Sequence, residues 1–447
     1  MSSEVAVGID IGTSSVKALA ADPDGSVVAS ARIPHDIQIP APDRLQHDAD
    51  QAWRRGPQSA LDALGLEDAP VAVSVSAMVP SLTAVDAEGV PRTPGLLYGD
   101  GRGRSEKTGG NPIENGELLA FLRWTVAEYP DASGFWPATA VANNALCGSP
   151  VLDTSTASTA FPLFDWVGWD SDIAKSIGVS VETLPELVPT AHPCGHVGGA
   201  DGPVLASGCI DALADQIVAG ADHEGDVLVL LGTTLIVNTI TSKEDEVPGY
   251  WVIPHTAKGL MQAGGPSNAG GLFLNWATAS LRDVDPGERV HPDRVPVWAP
   301  YPRGERVPLH DPDRRAQLVD LDLTVGAASL RRAAFEASGF VARRAIDAVR
   351  AAHGISPRRI VATGGGTRVD EWVQTLADCT SLPVVCTQVP EGAALGSAFL
   401  ARCAAGLEEG GMLSASRWAH DGRTVDPDPV WAEASQPRYE RFLDLSA

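Results

Sequence analysis

The sequence predicts an α/β protein made of two layered domains, and three observations carry that expectation. Its 447 residues exceed what one hydrophobic core usually supports. Strand-like and helix-like runs alternate along the chain, as they do where helices cover a sheet. Two hairpins echo each other about half a chain apart: VAVGIDIGTSSVKAL from Val5 and VLVLLGTTLIVNTI from Val227 share the order apolar run, glycine, hydroxyl pair, apolar run. Two related domains, over residues 1–220 and 221–447, would face each other across a central cleft and bring both hydroxyl-bearing turns to one phosphate chain. Coincidental hairpin chemistry is the alternative.

The opening hairpin, Val5 to Gly25, runs through β-branched and small apolar residues to Asp10, turns at Gly12, Thr13 and Ser14, and returns from Val16 to Ala21. Glycine lets backbone N–H groups approach an anion, and the two hydroxyls add donors. A carboxylate two residues earlier is placed to hold a hydrated Mg2+ beside it, so the segment reads as phosphate handling or as an ordinary polar turn. A helix follows over Gln51 to Leu64, then strands at Val71–Ala77 and Ser81–Asp86. Arg102 to Pro112 is polar and glycine-rich and reads as an exposed loop. Amphipathic helices are expected at Glu117–Glu128 and Trp169–Ile177, with a Pro/Gly-punctuated connector over Pro185–Pro203.

Beyond the connector, SGCIDALADQIVAG sets Asp211 at the opening of a helix, where the residues alone read it as an N-cap. The second hairpin turns at Gly232, Thr233 and Thr234. In RIVATGGGTRVDEWVQTLADC, a strand at Ile360–Ala362, the triple glycine Gly364, Gly365 and Gly366, and a helix from Val369 to Ala377 offer a flat backbone seat for a nucleotide. The chain contains neither GxGxxG nor GxxxxGK[ST]. Gly392 to Ala401 is a helix of small residues suited to close packing.

A formal net charge of −24 excludes nucleic acid and anionic membrane as partners, since such binding needs clustered Lys and Arg. There is no long apolar run for a membrane span, and Glu4 and Asp10 fall too early for a signal peptide, so a cytoplasmic protein is expected. The six cysteines form no CxxC pair, which argues against zinc and a disulfide framework. His35, His47, His192 and His196 show no metal spacing and read as ordinary core or surface histidines.

Taken in order, these motifs resemble the FGGY family of carbohydrate kinases, of the actin-like ATPase (ribonuclease H-like) superfold, and most of all its xylulose kinases. The resemblance implies a first phosphate turn at Asp10, Gly12 and Thr13 and an aromatic-x-Asp-x-Arg element at Tyr98, Asp100 and Arg102, where the family usually has Trp first. It implies a catalytic base at Asp211, a second phosphate turn at Gly232–Thr234, and a P-Y-x-x-G-E-R element ending in Glu305 and Arg306. Its adenosine motif maps to Gly364–Gly366 with Trp372, Gln374 and Asp378.

The implied reaction is transfer of the ATP γ-phosphoryl group to a sugar hydroxyl. Asp10 would hold Mg2+; Thr13, Ser14 and Thr233 would meet the β- and γ-phosphates, and Gly364–Gly366 the adenosine. Met78, Val79, Tyr98, Asp100 and Asp211 would line the sugar. Glu305 and Arg306 are expected to form a structural salt bridge. Val79 stands where xylulose kinases carry His, which makes xylulose a mediocre ligand though still the best single guess among ketoses and polyols; Trp136 to Thr139 replace a Lys-Asp-Tyr element. A homodimer is left open. A nucleotide-switched interaction protein and a degenerate sugar sensor are the competing readings.

Overall fold

The computed structural model describes residues 4–104, 117–281, 284–285 and 288–446. Most of the loop expected at Arg102–Pro112 therefore lies outside the described residues. The chain divides into two compact units, the first comprising residues 1–218 and 391–418, the second residues 219–390 and 419–447. The single boundary read from the sequence misses the return of residues 391–418 to the first unit, because the contacts that bring them back are remote in sequence.

In the first unit, seven strands form a mixed sheet. Ala6–Ile11 lies at its centre, antiparallel to Ser15–Ala21 and parallel to Ala72–Ala77. Val27–Pro34 extends one side; Val204–Ala206 and Pro193–His196 extend the other, so the expected connector contains an edge strand. The short strand Cys209–Ile210 runs parallel to the end of Ala72–Ala77, Ile210 opposite Ala77.

Alternation along the central strand sorts its two faces. Val7, Ile9 and Ile11 point into a core that includes Trp53, Val73, Val75 and Phe121. Ala6, Gly8 and Asp10 point the other way, where the helix Gly392–Ala404 lies on the sheet: Ala6 and Ala72 meet Ala401, and Ser76 Oγ donates to the Ala393 carbonyl at 3.4 Å. The approach is close enough that a Cβ on Gly8 would fall 1.8 Å from the Ala394 carbonyl oxygen. The small-residue helix does pack closely, as its composition predicts.

The second unit repeats this plan. Asp226–Leu231 is antiparallel to Leu235–Thr241 and parallel to Arg359–Thr363, with Val384–Thr387 beyond and Met261–Ser267 continuing the antiparallel side. Both hairpins seen as an echo in the sequence are thus central to their sheets. The helix Ala327–His353, 27 residues long, covers one face with Ala334, Phe335, Phe340, Val341 and Ile346 in the core. Among the described residues, no helix is long and apolar enough to cross a membrane.

Candidate functional site

Three parallel strands of the first unit end at one level. Register sets Ile11 opposite Ala77 and Ala77 opposite Ile210, so Asp10, Met78 and Asp211 occupy one carboxyl edge. At about 4.8 Å per strand, Asp211 lies roughly two strands from the level of Asp10. The carboxyl edge of parallel strands is the usual ligand position in open α/β sheets.

Asp10 is nearly buried, and its Oδ2 accepts from Lys17 Nζ at 3.2 Å across the hairpin, the two being register partners. The attraction of Asp10 holds the Lys17 ammonium above its usual range against the opposing effect of burial, with Asp215 and Glu391 adding to it. Sequence reasoning missed Lys17 and Asp215. The signals were present: Lys17 is the only lysine in the first hundred residues. Asp215 follows Asp211 by one helical turn, which puts both carboxylates on one helix face.

Gly12 keeps the turn open. Its N–H closes the hairpin on the Ser15 carbonyl at 3.1 Å, and a Cβ there would lie 3.5 Å from Asp10 Oδ2 and 3.9 Å from Lys17 Nζ. That space, flanked by the half-buried Lys17 ammonium and one carboxylate, suits a phosphate oxygen and a hydrated cation together, so the residues present fit Mg2+ at Asp10. Ser14 is exposed, whereas Thr13 is buried with its hydroxyl 2.9 Å from the Tyr98 hydroxyl.

Asp211 is the first residue of the helix Asp211–Ala219, partly buried, with Oδ1 accepting from the Ala212 N–H at 2.7 Å. Met78 is buried and Val79 half-buried beside Tyr98, since Ser81 pairs with Leu97 in the next two strands. Asp100 is fully buried: Arg102 grips it through Nε at 2.9 Å and Nη2 at 2.7 Å, and Leu45 N–H donates to it at 2.7 Å, so this carboxylate organises the loop.

In the second unit, the Gly232–Thr234 turn is backed by a helix start: Gly271 N–H donates to the Gly232 carbonyl at 2.8 Å and Leu272 N–H to that of Thr233 at 3.1 Å. Glu305 steadies the chain leading into that helix, accepting from Ser267 Oγ at 2.7 Å and the backbone N–H groups of Asn268 and Arg306 at 3.0 and 2.6 Å. Burial pushes its carboxyl up, and the guanidinium that opposes this is Arg344's. These contacts tie Glu305 to backbone N–H groups and a hydroxyl of the neighbouring segments.

The triple glycine resolves into separate roles. Gly364 has φ of +92°, a Cβ on Gly366 would strike the Trp372 ring at 2.4 Å, and only Gly365 has open space above it. Trp372 and Asp378 are buried, the latter accepting from Arg332 and Gln374, each at 2.8 Å. Among the described residues, the one close group of three metal-type side chains is Asp222, His223 and Asp226, where Arg358 and Arg359 already hold Asp226.

His35 and His47 form an edge-to-face pair behind the first turn, ring centres 4.5 Å apart. Burial pushes His47 down to about 4, with His35 adding to the effect, and lowers His35 in the same direction. A folded-state value below the unfolded one means that unfolding takes up a proton as pH falls. The His47 contribution, about 3 kcal/mol at ~1.4 kcal/mol per unit, is therefore complete above pH ~6.5 and lost on descent toward pH ~4. Urea unfolding at pH 7.5 and 5 is expected to show a smaller acid loss in His47→Gln than in the parent; equal losses would exclude His47 as the source.

Matches to known proteins agree with this architecture. Residues 5–108 match the N-terminal domain of the FGGY family of carbohydrate kinases, and residues 227–405 its C-terminal domain. A gluconokinase from Bacillus subtilis is 26% identical, covering 98% of this chain and 95% of its own. A xylulose kinase from Escherichia coli is likewise 26% identical, covering 98% of both. The gluconate kinase structure from Lactobacillus acidophilus superposes with a TM-score of 0.81 at 22% identity, over 98% of this chain and 96% of that one, and so shares the fold. With family matches at both hairpins and the actin-like fold of sugar kinases in both units, the chain belongs to the FGGY family of carbohydrate kinases.

Proposed function

We propose that this sugar kinase transfers the γ-phosphoryl group of ATP to a hydroxyl of a small open-chain sugar or polyol, with Asp211 as the general base. The observation that carries the reading is the shared strand edge of Asp10 and Asp211 beside the open Gly12 turn. Sugar kinases of this family use ATP, usually with Mg2+.

Phosphoryl transfer is mainly a matter of position and charge. The Asp211 carboxylate takes the proton of the attacking hydroxyl as the new O–P bond forms. The Gly12 to Ser14 turn gives N–H and hydroxyl donors to phosphate oxygens, and Lys17 offsets their charge. Asp10 is the residue that would hold Mg2+, which when bound neutralises phosphate charge. The Gly232–Thr234 turn is assigned to phosphate, and Gly365 to adenosine.

The relatives named xylulose kinase and gluconokinase make D-xylulose and D-gluconate the first acceptors to test, followed by polyols. Release of ADP, coupled to NADH oxidation, should rise with one of them; no stimulation by any sugar, acid or polyol would overturn the reading. For xylulose itself, Val79 withholds a polar partner, and an unpaired sugar hydroxyl costs on the order of 1–3 kcal/mol. Val79→His is expected to raise kcat/KM for D-xylulose by about one to two decades. A fall in a correctly folded variant would reject this pocket.

A further inference from the structure

The back of the first phosphate turn holds a hydrogen-bond chain with only one consistent protonation. Trp53 Nε1 lies 3.0 Å from His47 Nδ1, and His47 Nε2 lies 2.8 Å from the Thr13 carbonyl oxygen. An indole N–H only donates, so Nδ1 must accept; a carbonyl only accepts, so Nε2 must carry the proton. Both ends demand the same neutral tautomer. A doubly protonated ring would turn its Nδ1–H against the indole N–H.

Nothing in this chain is free to drift. Trp53 is fully buried, wedged so tightly over the strand Gly95–Leu97 that a Cβ on Gly95 would fall 2.4 Å from its ring. His47 is also fully buried and is the register partner of Gly95. The last link, Thr13, is gripped twice: its carbonyl by His47 and its hydroxyl by Tyr98 at 2.9 Å. His35 closes the space beside His47, and its backbone N–H ties the Ser14 carbonyl at 3.1 Å.

We propose that His47 is a positioning residue for phosphate binding: locked as the Nε2–H tautomer by Trp53, it fixes the Thr13 carbonyl and so aims the donors of the Gly12–Ser14 turn. A peptide unit is rigid and planar, so pinning the Thr13 carbonyl also orients the Ser14 N–H on the same plane. The donors then need no rearrangement when phosphate arrives, which is how preorganised dipoles gain affinity. His47 itself touches neither nucleotide nor sugar in this account. The inference rests on the reading of that turn as a phosphate site, and the test separates the two.

The probes are Mg-AMPPNP and adenosine, titrated by calorimetry into the full-length protein; their affinity ratio isolates the contribution of the phosphates. Thr13→Val tests the turn itself. His47→Leu removes both hydrogen bonds, and Trp53→Phe removes only the indole donor. His47→Gln keeps an acceptor for Trp53 and an amide donor for Thr13. The expected result is a ratio at least about 10-fold lower in His47→Leu and lowered in Trp53→Phe, with adenosine affinity unchanged and His47→Gln within about 3-fold of the parent.

A merely structural role would lower thermal stability without splitting the two ligands. If Thr13→Val lowers the ratio and His47→Leu does not, or if His47→Gln is as impaired as His47→Leu, the positioning role is overturned. An unchanged ratio in Thr13→Val would instead overturn the phosphate reading of the turn. Should His47→Leu fail to fold, Trp53→Phe and His47→Gln carry the decision: an unchanged ratio in Trp53→Phe, or a collapsed one in His47→Gln, overturns the proposal.

Discussion

Asp211→Asn is expected to lower turnover by roughly 100-fold or more while leaving Mg-AMPPNP binding close to that of the parent, the usual scale of a lost general base. The choice of asparagine separates chemistry from folding. Asp211 opens its helix and accepts the Ala212 N–H, the position of a residue that also serves the helix start. Asparagine serves helix starts about as well as aspartate, so the variant keeps that contribution and removes only the basic carboxylate. Steady-state kinetics with whichever acceptor stimulates ADP release, beside thermal melting, decides the matter. Near-parental turnover would remove Asp211 from the mechanism, and lost stability with retained turnover would make it a helix-start residue alone.

The largest effect on folding is expected at Gly8, four residues before the phosphate-turn glycine. A methyl group there would lie 1.8 Å from the Ala394 oxygen, 2.3 Å from the Ala398 nitrogen and 2.9 Å from the Ser397 carbonyl carbon, all backbone atoms. No rotamer change relieves such an overlap; the helix Gly392–Ala404 must lift from the sheet. Gly8→Ala is therefore expected to cost about 3 kcal/mol or more, a large fraction of the usual 5–15 kcal/mol of net stability. Gly168→Ala is the control, because nothing lies within 4 Å of a Cβ there. A Gly8→Ala protein that unfolds at the same urea concentration as the parent would contradict the packing. The expected damage extends to function, since Asp10 lies two residues further along the same face of the strand.

Particular residues mark the limit of what could be read in advance. The helix Glu117–Glu128 ends where its apolar spacing predicts, and both hairpins lie at the centres of their sheets. That Arg102 two residues on and Leu45 far upstream both bond to Asp100 depends on how the loop closes, which the aromatic-x-Asp-x-Arg spacing does not encode. The triple glycine is similar: a positive φ at Gly364 and the Trp372 ring against Gly366 are features of the folded chain that the run of glycines does not distinguish. His47 carried no local signal, since its partners Thr13 and Trp53 belong to separate elements.

The sequence by itself determined the two-domain α/β class, the paired hairpins, the family and the short list of carboxylates and turns proposed for the chemistry. Such features are local: apolar periodicity, glycine at a turn and an acid at a helix start act within a few residues and need no distant partner. Tertiary structure alone decided that Lys17 faces Asp10, that residues 391–418 rejoin the first unit, and that His47 lies between the Trp53 indole and the Thr13 carbonyl. Each of these is set by a contact between groups brought together across the fold, and the energy of a buried hydrogen bond or ion pair depends on that partner and that burial.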